Sequence, residues 1–201
     1  RRTLTIPALN VGARTSLSYY LIIESSGCLS DRSPARTLQI TPRPLAVVNT
    51  PVITVCEGSP FSLGTNFSGA GISYQWTGPD GFASNLQFPP TVQEAELVDE
   101  GAYQLVVTRN GCSSNPAFTF VNVNPRPARP ILPNERNLCD GDTLTLLTLP
   151  AGATSYTWTA PDLSTITTAT NTLVLPDADM EYSGTWTVRS TQFGCVSEVS
   201  N

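Results

Sequence analysis

A period of about 83 residues constrains this chain more than any other feature. TPRPLAVV (41–48) stands beside NPRPARPI (124–131), and VCEGSPFSL (55–63) beside LCDGDTLTL (138–146). ISYQWTGPDG (72–81) matches TSYTWTAPDL (154–163), and DEGAYQLVVTRNGCSS (99–114) matches EYSGTWTVRSTQFGCVS (181–197). The offset is 83 for the Pro-Arg-Pro elements, the cysteines and the Tyr103/Trp186 pair, and 82 for Trp76/Trp158. A third copy is partial: SLSYYLIIESSGCLSDRSPARTLQIT (16–41) matches 99–124, setting Tyr19 on Tyr103 and Cys28 on Cys112 at an offset of 84. The chain therefore reads as the C-terminal half of one unit at 1–41, a complete unit at 42–124, and a unit at 125–201 that stops before its last strand. Units this short are small for a self-sufficient core, although many such domains fold alone.

Within the complete unit the patterns are those of strands. PVITV opens it, FSLGTNF alternates Phe61, Leu63, Thr65 and Phe67 on one face, and ISYQWTG aligns Ile72, Tyr74 and Trp76. NLQFP and AELV are short, weak strand signals. AYQLVVT turns Tyr103, Leu105 and Val107 inward, Asn110-Gly111 is a hairpin turn, and NPAFTFVNV closes the unit with its phenylalanines and valines on opposite faces. No segment has helical periodicity. Thr, Ser, Val, Pro and Gly are abundant, as in an all-β sandwich rich in turns.

The chemistry open to the chain is narrow. It has no histidine, so it offers no Ser-His or Cys-His dyad and no histidine-ligated zinc. All basic residues are arginines, and with a net charge of −5 there is no basic stripe for nucleic acid. No apolar run approaches the ~20 residues that span a bilayer. The opening RRTLTIPAL reads as the interior of something longer, so an export signal would lie outside it. Carboxylates cluster at Asp99/Glu100, Asp140/Asp142 and Asp177/Asp179/Glu181. None of these matches an EF-hand loop, and they read as solvated turn residues with no cofactor; the alternative is calcium, which takes such oxygens and sits between domains in some extracellular arrays. Asn66-Phe67-Ser68 is a formal N-glycosylation sequon. Trp76 and Trp158 read as core, and Phe82 as the better candidate for an exposed aromatic.

The order C-x-G, Y-x-W, G-x-Y, G-C-x-S and a valine-rich strand resembles bacterial immunoglobulin-like and PKD-like repeats. These occur in large surface and secreted proteins of Bacteroidota, including gliding adhesins exported by the type IX system. The resemblance rests on Cys56, Gly58, Trp76, Gly101, Tyr103, Cys112 and Ser114 and on Cys139, Gly141, Trp158, Gly184, Trp186, Cys195 and Ser197. It implies tandem immunoglobulin-like β-sandwiches. It also implies a tyrosine corner, in which a tyrosine hydroxyl bonds back to the chain; Tyr103 fits that role, whereas Trp186 carries a differently placed donor and is not assigned it. Where immunoglobulins carry their inter-sheet disulfide, this chain has Leu105 facing Leu63 and Val188 facing Leu146. Asp142-Thr143-Leu144 is similar to the short O-glycosylation pattern of Bacteroidota, marking Thr143.

The cysteines then pose a conflict. Cys56 to Cys112 and Cys139 to Cys195 are both 56 apart, one pair per unit, and Cys28 is left without a partner in this sequence. Spacing nominates those intradomain pairs. The immunoglobulin template objects, because it puts Cys56 at the bottom of a strand and Cys112 at the top of a hairpin, beyond disulfide reach. Either the strand order differs, or Cys112 folds back, or bridges cross between neighbouring units.

The expected function is mechanical and adhesive, as a non-catalytic stalk or filament segment of a large exported cell-surface protein. Its expected partners are neighbouring repeats, other copies, or extracellular glycans and proteins, with no nucleic acid and no membrane span. The proline-rich linkers favour semi-rigid geometry. The alternatives are a glycan- or protein-binding module, and a filament subunit whose incomplete units are finished by a neighbour's strand.

Overall fold

The computed structural model describes residues 16–133 and 137–201. Residues 1–15 of the expected half unit lie outside the described residues. Its remainder forms β1 (Ser16–Tyr19), β2 (Glu24–Ser25), β3 (Cys28–Leu29) and β4 (Arg36–Gln39). β1 pairs with β4 antiparallel, and β2 with β3 in a hairpin.

The central region builds its main sheet from β5 (Val52–Cys56), β6 (Ile72–Thr77), β7 (Ala83–Ser84), β8 (Gly101–Arg109), β9 (Cys112–Ser113) and β10 (Ala117–Asn124). The order is β5-β10-β8-β6-β7, with β9 on the end of β8. β5 joins β10 in parallel and every other pairing is antiparallel. Alternation decides what faces inward. Tyr103, Leu105 and Val107 of β8, Trp76 of β6, and Val121 and Val123 of β10 form one core with Phe61, Leu63 and Ala95 from the opposite layer. Phe118 and Phe120 point the other way and are exposed.

FSLGTNF keeps its expected burial but not its expected ladder. Phe61, Leu63 and Thr65 are buried, yet the segment makes only an isolated bridge, Phe61 to Val92. Carrying that antiparallel register two residues on puts Pro90 opposite Leu63, and proline has no N–H to donate. The corresponding stretch of the last region has Leu173 there. It forms a true ladder between β11 (Leu144–Leu147) and β14 (Thr172–Leu175). NLQFP is irregular, and the AELV signal becomes a 3-10 turn over Leu97–Asp99.

The last region continues with β12 (Ser155–Thr159), β13 (Thr165–Thr168), β15 (Thr187–Gln192) and β16 (Cys195–Val196), ordered β13-β12-β15-β16. Tyr156, Trp158, Trp186 and Val188 pack with Leu144 and Leu173 as a second core. Leu146 is only partly buried against it. Glycine is required at the first residue of β8 and three residues ahead of β15. Gly101 and Gly184 have φ of +143° and +144°, and a Cβ there would meet Pro79 at 2.8 Å and Pro161 at 2.7 Å.

The indole of Trp186 corrects one expectation. The Tyr103 hydroxyl donates to the Asp99 carbonyl at 3.0 Å, and the Trp186 Nε1–H donates to the Tyr182 carbonyl at 3.1 Å, four residues back in both cases. The corner is a contact to the i−4 carbonyl, and an indole N–H reaches it as well as a phenol does.

Candidate functional site

The most elaborated site is the junction between the two cores. Parallel pairing sets Asn124, the end of β10, opposite Cys56, the end of β5. Cys56 therefore lies beside the residue from which the linker departs. In the last region β15 and β16 form a hairpin whose turn residues, Phe193 and Gly194, have φ of 51° and 78°. Two positive φ values make the tight hairpin turn that matches strand twist, and Cys195 is the first residue beyond it.

Cys56 and Cys195 are joined in a disulfide, with Cα atoms 5.6 Å apart and a sequence separation of 139. This overturns the pairs that spacing nominated: Cys56 is not bonded to Cys112, nor Cys139 to Cys195. Cys28, Cys112 and Cys139 are free thiols. The reason is topological. β8 runs antiparallel to β10 from its Gly101 end, near Cys56, to Arg109, which faces Cys112. Its nine residues at ~3.3 Å each hold the sulfurs of Cys56 and Cys112 at opposite ends.

Around the bridge, backbone and side chains tie the linker to both sides. The Glu57 N–H donates to the Asn124 carbonyl at 2.8 Å, and the Arg126 N–H to Glu57 Oε2 at 3.3 Å. Asn124 Nδ2 donates to the Phe193 carbonyl at 3.1 Å, and Arg129 Nε to the Val199 carbonyl at 2.6 Å. Arg126 pairs with Glu198 at 2.7 Å, but both are solvated, so this contact aligns the junction more than it stabilises it. Pro130 of the linker is fully buried. Sequence reading picked out the Pro-Arg-Pro element as a spacer and missed Glu57, Asn124, Arg126, Phe193 and Glu198 as junction residues. A usable signal for the bridge existed: the cysteine spacing of 56 plus one period of 83 is 139.

The hairpin cysteine is held by the serine two residues on. Ser114 Oγ accepts the Val107 N–H, and Ser197 Oγ accepts the Ser190 N–H, each at 3.0 Å. Ser30 does the same for Ile23 at 2.9 Å. The serines return the chain to the strand it has just left, which explains G-C-x-S in physical terms.

The other predicted residues lie elsewhere. Trp76 and Trp158 are fully buried, donating to the Leu86 carbonyl and to Thr168 Oγ1. Phe82 is not an exposed aromatic; it is half-buried, edge-on to Tyr103 at 5.1 Å. Burial, with added repulsion from the Asp99 and Asp80 carboxylates, pushes the Tyr103 phenol up to about 12. Several clustered carboxylates are spent on turns. Asp99 accepts the Glu96 N–H, Asp142 the Cys139 N–H and Asp179 the Glu181 N–H. Among the described residues no three His, Cys, Asp or Glu side chains are placed to share a metal ion. Asn66 and Thr143 are both exposed. No helix among them is long and apolar enough to cross a membrane.

No protein-family model matches the sequence, and no curated protein does either. Solved structures do. A run of titin domains is similar at a TM-score of 0.51 and 14% identity, covering 92% of this chain and 72% of that one. The fold is immunoglobulin-like. Murine CEACAM1b (TM-score 0.45, 14% identity) covers 77% of this chain and 94% of its own. A structure of a mouse coronavirus receptor-binding domain complexed with its murine receptor (TM-score 0.49, 15% identity) covers 77% and 96%. At such identities the likeness carries the fold and nothing further.

Proposed function

We infer that this immunoglobulin-like chain is a non-catalytic stalk segment of a large exported surface protein, of the kind Bacteroidota use as adhesins. In this reading its units at 42–124 and 125–201 follow a half unit at 1–41. The observation that carries the inference is the Cys56–Cys195 bridge across the junction. A covalent clamp between consecutive units resists bending and pulling in a way that surface ion pairs do not. It also fits an oxidising, extracellular compartment. The linker hydrogen bonds and the buried Pro130 support a fixed angle between units.

Small-angle scattering on the oxidised chain and on Cys56→Ser tests this. The oxidised chain is expected to give one narrow distribution of dimensions, and the variant a broader one. A freely jointed profile for the oxidised chain would sink the stalk.

A further inference from the structure

We propose that Cys112 and Cys139 are open halves of the bridge that Cys56 and Cys195 complete. Each is reserved for a neighbouring unit of this same type, so that one disulfide would clamp every junction of an array. The inference rests on the tandem-unit reading above and adds a rule of connectivity to it: a C-x-G cysteine bonds only to the hairpin cysteine of the next unit.

Cys112 reproduces the setting of Cys195. It follows a turn, Asn110-Gly111, with φ of 50° and 79°, against 51° and 78° before Cys195. It faces Arg109 as Cys195 faces Gln192, and the same serine contact holds its hairpin. Its sulfur lies 3.8 Å from the Thr41 carbonyl, as that of Cys195 lies 3.8 Å from the Asn124 carbonyl, 71 residues back in both cases. In the bonded junction that carbonyl also accepts the Glu57 N–H, so it marks where the preceding unit's C-x-G cysteine arrives. Thr41 marks the same place at the previous junction.

Cys139 reproduces the setting of Cys56. Its carbonyl accepts the Asp142 N–H at 3.1 Å, as that of Cys56 accepts the Ser59 N–H at 2.9 Å. The Gly141 N–H donates to the Ala178 carbonyl as the Gly58 N–H does to that of Ala95. Cys139 is exposed, and neither sulfur reaches the other within the chain. Forming each new bridge removes two protons and two electrons from a thiol pair. A disulfide donor, such as oxidised glutathione, takes them by thiol–disulfide exchange and leaves as two thiols.

The test fuses a second copy of residues 119–201 after Asn201, which preserves the 83-residue period. The fusion is oxidised in a glutathione buffer and its disulfides are mapped by mass spectrometry. Cys139 is expected to bond to the appended copy of Cys195 and to lose its reactivity toward a thiol label, while Cys56–Cys195 persists. An appended unit that folds by hydrogen exchange while Cys139 stays labelled overturns the proposal and leaves the tandem reading standing. An appended unit that does not fold overturns both. Run in parallel at high concentration, the unfused chain distinguishes the source of the partner. Crosslinked dimers should join Cys139 to Cys112 or Cys28 and vanish in Cys139→Ser, whereas dimers dominated by Cys139–Cys139 count against the rule.

Discussion

Replacing Cys195, itself fully buried, with serine removes the bridge and leaves the aromatic and aliphatic side chains of both core clusters in place, so the clamp's worth is measurable. While the central region is folded, β5 and β10 hold Asn124 beside Cys56. The last region, when unfolded, would then be a loop tied at both ends, by the peptide chain at Asn124 and by sulfur at Cys195, which are 71 residues apart. A chain-entropy treatment gives about 4 kcal/mol for closing such a loop. Breaking the bond restores that entropy to the unfolded state, and at ~1.4 kcal/mol per decade the opening equilibrium rises roughly a thousandfold. Hydrogen exchange resolves the units separately. In Cys195→Ser the core amides of β15 should lose about three decades of protection, and a unit less stable than that simply unfolds, a change in the same direction. Cys56→Ser should match it, and the double variant should lose no more than either single one, because only one bond is at stake. Cys112→Ser and Cys139→Ser should leave β15 unchanged. Unaltered protection in Cys195→Ser, or equal loss in Cys139→Ser, would refute the reasoning.

Trp186→Phe deletes the indole donor to the Tyr182 carbonyl and should cost about 1 kcal/mol in urea melts, whereas Trp186→Tyr should recover much of it by supplying the hydroxyl that Tyr103 uses. Ser197→Ala leaves the buried Ser190 N–H without its acceptor and should cost about 1–3 kcal/mol, with faster exchange at that amide. Tyr103 keeps its proton to about pH 12 when folded but releases it near 10 when unfolded. Above pH 10 the unfolded state binds fewer protons, so stability should fall as pH rises toward 12 and then level off. Urea midpoints of the thiol-alkylated protein against Tyr103→Phe check this: the variant should lack that part of the decline.

The alternation of Trp76, Tyr103, Leu105 and Val107 made their burial legible in the sequence, because the period of two is a local property of an extended chain. The ladder expected at FSLGTNF was not, since whether that segment pairs depends on what lies opposite, and Pro90 lies there. Trp186 misled for a similar reason. Its chemistry differs from tyrosine's, and only the position of the Tyr182 carbonyl makes the two donors equivalent.

The cysteines divide the same way. Two kinds of cysteine were legible in the chain, one before a C-x-G turn and one after a hairpin glycine, recurring with the 83-residue period. That the two kinds meet across the junction, and not within one period, follows from the tertiary structure. Spacing counts residues along the chain, whereas a disulfide needs two Cα atoms within ~7 Å. β8 carries Cys112 to the far end from the Cys56 turn, and parallel pairing of β5 with β10 delivers that turn to the hairpin that bears Cys195. Cys56 thus bonds to Cys195 because the junction, not the unit, brings the sulfurs together.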